Sequence, residues 1–170
     1  RLLPFIPAFN TPEGEALKNK VLTSTELLDI DHVPQTMAII GAGVIGLELA
    51  SAFETFGSKV TVIEFLKECL PTIDSDIAKR LRKTLEKRGI NFNMNSGVKS
   101  IVATEDKKQA IVTFEQKGQE KQVIADIVLV ATGRAANIEG LGLEIAGINC
   151  VKQGIETNEH YETNIPGVYA

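Results

Sequence analysis

Met37-Ala38-Ile39-Ile40-Gly41-Ala42-Gly43-Val44-Ile45-Gly46 is the stretch from which the fold of this chain is read. Its first four residues form a continuous apolar run with no polar alternation, the pattern of a short strand covered on both faces. Three glycines follow in the spacing Gly-x-Gly-x-x-Gly. Beyond them Ile45, Leu49, Ala50, Phe53 and Phe56 recur at helical spacing as far as Gly57, a natural helix stop. Lys59-Val60-Thr61-Val62-Ile63-Glu64 is β-branched and apolar and reads as a second buried strand, so strand, helix and strand together have the size of a βαβ unit.

Working outward, Asp74 or Ser75 can cap a helix that ends at Gly89. Ile77, Ala78, Leu81 and Leu85 share its buried face, and Lys79, Arg80, Arg82, Lys83, Glu86 and Lys87 form a solvated stripe. The text then alternates: Val98 to Val102, Ala110 to Phe114 and Gln122 to Ile124 read as short strands joined by polar turns, an antiparallel meander. Asp126 leads into Ile127-Val128-Leu129-Val130-Ala131, again buried on both faces and ended by Thr132-Gly133. Upstream, residues 1–36 hold four of the six prolines and look like a lead-in with one short helix, where Thr23-Ser24-Thr25-Glu26 supplies caps in front of Leu27 and Leu28. The expected class is α/β: a Rossmann-like parallel sheet with helices and an added antiparallel β-meander layer.

The glycine loop lies where ligands of such sheets bind, outside the carboxyl ends of the strands. Gly41 permits the tight turn, Gly43 lets a pyrophosphate approach where a Cβ would collide, and Gly46 lets helix and strand pack closely. The free amides and dipole of the helix start then face the phosphates. Glu64 stands at the tip of the next strand, 18 residues beyond Gly46. A carboxylate there accepts hydrogen bonds from ribose hydroxyls and repels a 2′-phosphate, which predicts NAD(H) over NADP(H). Lys67 reads as a solvated loop charge. Glu48, placed on the first helical turn, either complements the dipole or serves a site near a reactive ring. Gly133-Arg134 at another strand end is either a turn with a surface cation or a cofactor contact.

Other chemistries lack their residues. Gly46 is followed by Leu47, so the Lys-Ser/Thr of a nucleotide-hydrolysing phosphate loop is missing. His32 and His160 have no ligand spacing and read as surface histidines. The serines stand in no Gly-x-Ser-x-Gly context. Cys69 and Cys150 form no Cys-x-x-Cys and read as plain thiols in a reducing compartment. A net charge of −4 over 170 residues argues against nucleic acid or an anionic membrane as partner, and no apolar run is long enough to span a bilayer. The chain opens without methionine and closes at Pro166-Gly167-Val168-Tyr169-Ala170, which reads as a domain excised from something longer.

The run Val21-Leu22-Thr23-Ser24-Thr25, His32-Val33-Pro34, Ile39 through Glu48, Val60 through Glu64, Leu70-Pro71, Asp74, and Val130-Ala131-Thr132-Gly133-Arg134 with Asn137 resembles the pyridine nucleotide-disulfide oxidoreductases, and within them most closely the branch that oxidises dihydrolipoyl dithiols. The likeness covers essentially the whole chain. It implies the FAD/NAD(P)-binding type of fold, with residues 1–36 belonging partly to a split flavin domain, 37–135 forming the NAD-binding domain, and 136–170 returning towards the flavin domain. The implied NAD contacts are Gly41, Ala42, Gly43, Val44, Ile45, Gly46, Leu47 and Glu48, with Glu64, Val98, Gly133 and the adjacent Arg134; Glu48 would approach the nicotinamide and a flavin. The implied parent is a homodimeric FAD enzyme of the cytoplasm or mitochondrial matrix that passes electrons from a lipoyl-bearing protein through a disulfide and FAD to NAD⁺. Its redox disulfide and His-Glu pair would lie elsewhere, so Cys69 and Cys150 inherit no catalytic role. The competing readings are the NAD-binding domain of another NAD-using relative (mercuric reductase, NADH oxidase or soluble transhydrogenase), a free-standing NAD-sensing module, and FAD in the glycine loop.

Overall fold

The computed structural model describes residues 6–8, 10–151 and 153–170. At its centre is β2 (Thr36–Ile40), in which Met37, Ala38, Ile39 and Ile40 are all at most 4% exposed. Burial on both faces requires a layer on each side, and successive residues of β2 enter different cores. Met37 and Ile39 join Leu47, Ala50 and Phe53 of α3 (Val44–Thr55) and Ala78 and Leu85 of α4 (Ser75–Arg88). Ala38 and Ile40 join Ile101, Val112, Phe114 and Ala125 of the meander β5 (Ser96–Ala103), β6 (Ala110–Gln116) and β7 (Gln119–Ala125).

Between these layers lies an all-parallel sheet in the order β1-β8-β2-β3-β4, formed by β1 (Val21–Leu22), β8 (Ile127–Val130), β2, β3 (Lys59–Ile63) and β4 (Asn91–Asn93). The chain winds from β2 through α3 to β3 on one side, and the meander delivers β8 to the other. The carboxyl end of β2 is therefore flanked by strands reached in opposite directions, the crevice where open parallel sheets take ligands. At the other end Asp126 ties β8 to β2: its carboxylate accepts the Thr36 N–H at 2.8 Å and the Thr36 hydroxyl at 2.9 Å. Burial opposes its charge, but these bonds and one from Gln109 prevail and hold its pKa below the usual range.

Two short helices precede β2, α1 (Pro12–Glu15) and, after β1, α2 (Ser24–Leu27), the latter closed by a capping box between Thr23 and Glu26. In the lead-in, Leu17 and Leu27 are core residues, and β1 is a sheet edge paired with β8. Of the lead-in, residues 1–5 and 9 lie outside the described residues. The chain divides into two compact units after Gly133. The second unit, from Arg134, carries the antiparallel pair β9 (Cys150–Val151) and β10 (Gly154–Ile155) and a turn in which the Asn164 side chain accepts the Asn149 N–H and donates to the Gly147 carbonyl, each at 2.8 Å.

Helix faces differ from the periodicity reading in two places. Ile77 and Leu81 are 57% and 39% exposed, because α4 turns the line Ala78, Arg82, Leu85 inward. Arg82 thus leaves the solvated stripe and is only 21% exposed. Phe56 lies just past α3 and is exposed, touching Phe53 edge to face.

Candidate functional site

The loop after β2 holds three glycines with three environments. Gly41 has φ +104°, and a Cβ there would stand 2.5 Å from the Ala131 carbonyl oxygen. A Cβ on Gly46 would run into the Gly41 carbonyl oxygen. These two are demanded by the fold: the first turn of α3 rests directly on the loop, and the loop on the end of β8. Gly43 is different. Its backbone, φ −76° and ψ −175°, suits any residue, and a Cβ there would meet nothing within 4 Å. Open space lies where its side chain would be.

Gly43 is also the N-cap of α3, and no side chain caps that helix. The first helical bond runs from Leu47 N–H to Gly43 C=O at 3.0 Å, so the amides of Val44, Ile45 and Gly46 have no intrahelical partner and give the loop a positive end. No acidic residue occupies the first turn. Glu48 stands fifth in the helix, exposed to solvent, which places it beyond the turn where it was expected to complement the dipole. Val44 is half exposed, whereas Ala42 and Leu47 point their side chains into the core.

Glu64 is 9% exposed and faces this loop. One carboxylate oxygen accepts the Ala42 N–H at 2.6 Å and the other the Leu66 N–H at 2.7 Å. Two amides use half of the roughly four acceptor positions of a carboxylate, so lone pairs remain for a ligand. The loop returns the contact, since Leu70 N–H donates to the Ala42 carbonyl at 3.0 Å. Ser96 N–H donates to the Glu64 carbonyl at 2.8 Å, which brings the start of β5, with Gly97 and half-buried Val98, alongside. The exposed Phe65 ring lies over Gly97. Lys67 is exposed.

The structure therefore gathers Gly41 to Gly46, Glu64, the Gly97-Val98 corner and the Ala131–Gly133 turn at the carboxyl ends of β2, β3 and β8, with Glu48 further along α3. Arg134 opens the second unit. Sequence reasoning missed the brace on the loop that follows Glu64. Arg82 donates to Glu68 through Nε at 2.7 Å and Nη2 at 3.1 Å, and through Nη1 to Glu86 at 2.6 Å. Arg82 holds the Glu68 carboxyl down at about 2. Cys69 beside it is buried, which pushes its thiol up to about 11. Among the described residues no group of three or more His, Cys, Asp and Glu could hold a metal ion, and no helix is long and apolar enough to cross a membrane.

Comparison with known proteins agrees with this architecture. A dihydrolipoyl dehydrogenase from Acholeplasma laidlawii is 42% identical over 153 residues, covering 90% of this chain and 43% of that protein. Leghemoglobin reductase from Glycine max is 38% identical over 90% of the chain and 29% of its own length. Among solved structures, the copper(II) complex of the HOCl-induced flavoprotein disulfide reductase RclA from Escherichia coli superposes with a TM-score of 0.80 at 30% identity, covering 99% of this chain and 36% of that one. The chain thus spans less than half the length of these relatives. The sequence profile of the pyridine nucleotide-disulphide oxidoreductases matches residues 3–170, and with the strand order and loop geometry above the chain belongs to that family.

Proposed function

We propose that this chain is the NAD(H)-binding part of a flavin-dependent disulfide oxidoreductase of the dihydrolipoyl dehydrogenase kind. The observation that carries the reading is Gly43: nothing in the fold requires a glycine there, its Cβ position is open space, and it caps a helix that no side chain caps. A diphosphate placed in that open space would occupy the room a side chain at residue 43 would fill. Gly41 to Gly46 would cradle the diphosphate, the α3 amides would donate to it, and Glu64 would accept from the adenosine ribose hydroxyls. Bound there, the nicotinamide supplies a two-electron hydride carrier; the chain's own part is to bind it, orient it and select against a 2′-phosphate. Val98, Gly133 and Arg134 are proposed further contacts, and Glu48 a contact towards the nicotinamide and a flavin.

The likeness to dihydrolipoyl dehydrogenases supports a lipoyl-bearing protein as electron donor, FAD as intermediary cofactor in the longer protein, a homodimer, and residence in the cytoplasm or mitochondrial matrix. The test is titration of the chain with NADH, NADPH and FAD. Wild type binds NADH and discriminates against NADPH; Glu64→Ala weakens NADH roughly 10-fold or more, and Gly43→Val abolishes binding with an unchanged circular dichroism spectrum. NADPH bound as tightly as NADH, NADH retained by Gly43→Val, or a yellow flavin-loaded chain would each overturn the assignment.

A further inference from the structure

Glu64 sits at the start of a loop, 64–70, whose next residues Phe65, Leu66 and Lys67 are exposed. Leu70 at its far end has φ +50°, a left-handed conformation disfavoured for a branched side chain, so the loop is not where an unconstrained chain would settle. It is fastened at its ends, through Leu70 N–H to Ala42 C=O and Asn95 N–H to Leu66 C=O, both 3.0 Å. Between these points the charged brace from another element is the Arg82 fork on Glu68; the Cys69 thiol also donates to the Ala78 carbonyl of α4 at 3.4 Å, and the Glu68 carboxylate accepts the Cys69 N–H at 3.1 Å. The pair is partly buried, 21% and 16% exposed, where a planar bidentate contact holds direction as well as distance.

We infer that Arg82 is a positioning residue for the nucleotide site: by gripping Glu68 it sets the path of the 64–70 loop and so the direction in which Glu64 presents its free lone pairs. Arg82 acts on cofactor choice through Glu64, without touching the ligand. Its own charge is engaged by Glu68 and Glu86 together, which leaves it no role as a receiver for a 2′-phosphate. The inference rests on the proposed role of Glu64.

Paired titrations with NADH and NADPH on the whole chain test it. Arg82→Ala is expected to weaken NADH on the order of 5-fold, a part of the Glu64 effect, and to lower the NADH-to-NADPH preference because the displaced carboxylate repels a 2′-phosphate less. Arg82→Lys keeps the charge, loses the fork, and falls between. On a Glu64→Ala background the Arg82→Ala change is expected to add nothing. Equal weakening of both nucleotides, an undiminished effect on the Glu64→Ala background, or unaltered NADH affinity would overturn the inference while leaving Glu64 in place. If Arg82→Ala unfolds, Arg82→Lys and Glu68→Gln carry the same comparison. A wild-type chain that does not prefer NADH removes the reading of Glu64 and the inference with it.

Discussion

Gly41, Gly43 and Gly46 are indistinguishable as letters and differ in what a methyl group would meet. At Gly46 it would meet the Gly41 carbonyl and at Gly43 open space. Gly46→Ala is therefore expected to destabilise the chain by about 1–3 kcal/mol through backbone displacement, whereas Gly43→Ala stays within about 1 kcal/mol of wild type because its dihedrals suit alanine. Denaturant unfolding of the two variants checks this, and equal losses would show that the loop does not distinguish them. The spacing of the three glycines and a separate role for each were legible in the sequence; the atoms that crowd Gly41 and Gly46 were not, since the Ala131 carbonyl reaches Gly41 only where β8 ends. Glu64 was legible for the same reason as the glycines, as a carboxylate at a strand tip. The Arg82–Glu68 fork was hidden: its members are 14 positions apart, and Arg82 sits among other charges that do face water.

Elements with one unambiguous period were read from the sequence closely. The apolar runs gave β2, β3 and β8, and Thr23 with Glu26 marked the start of α2. Edge pieces escaped: β1 is two residues and β4 three, and neither is long enough to show a pattern. The inward face of α4 was misjudged because Ile77 and Leu81 carry the apolar signal and yet lie on the exposed side. The correct face explains a pH effect. Glu68 has its pKa lowered from 4.5 to about 2 by Arg82, so its contribution to stability is complete above pH 4.5 and is lost as pH falls towards 2. Glu68→Gln is expected to be less stable than wild type by about 1–2 kcal/mol at neutral pH, with the gap closing across that acid interval. Urea melts at pH 7 and at low pH measure it; a gap that persists at low pH would assign the loss to packing.

At the scale of the molecule the chain forms two compact units divided after Gly133. The lead-in is sheet and core, because Leu17, Val21, Leu22 and Leu27 supply apolar surface that the parallel sheet would otherwise leave bare. A sequence reader sees prolines and turns there, and the few buried leucines between them are too sparse to form a periodic signal. The two cysteines fall on either side of the division: Cys69 is 1% exposed with its thiol pushed up to about 11, while Cys150 is open to solvent. A maleimide or a chromogenic disulfide reagent at pH 7 is therefore expected to modify one sulfur atom per folded chain at once, with the second following only at the rate at which the first unit opens. Two sulfurs labelled equally fast would contradict the burial of Cys69. The chain thus carries an internal clock for opening of its larger half, readable by mass without any engineered probe.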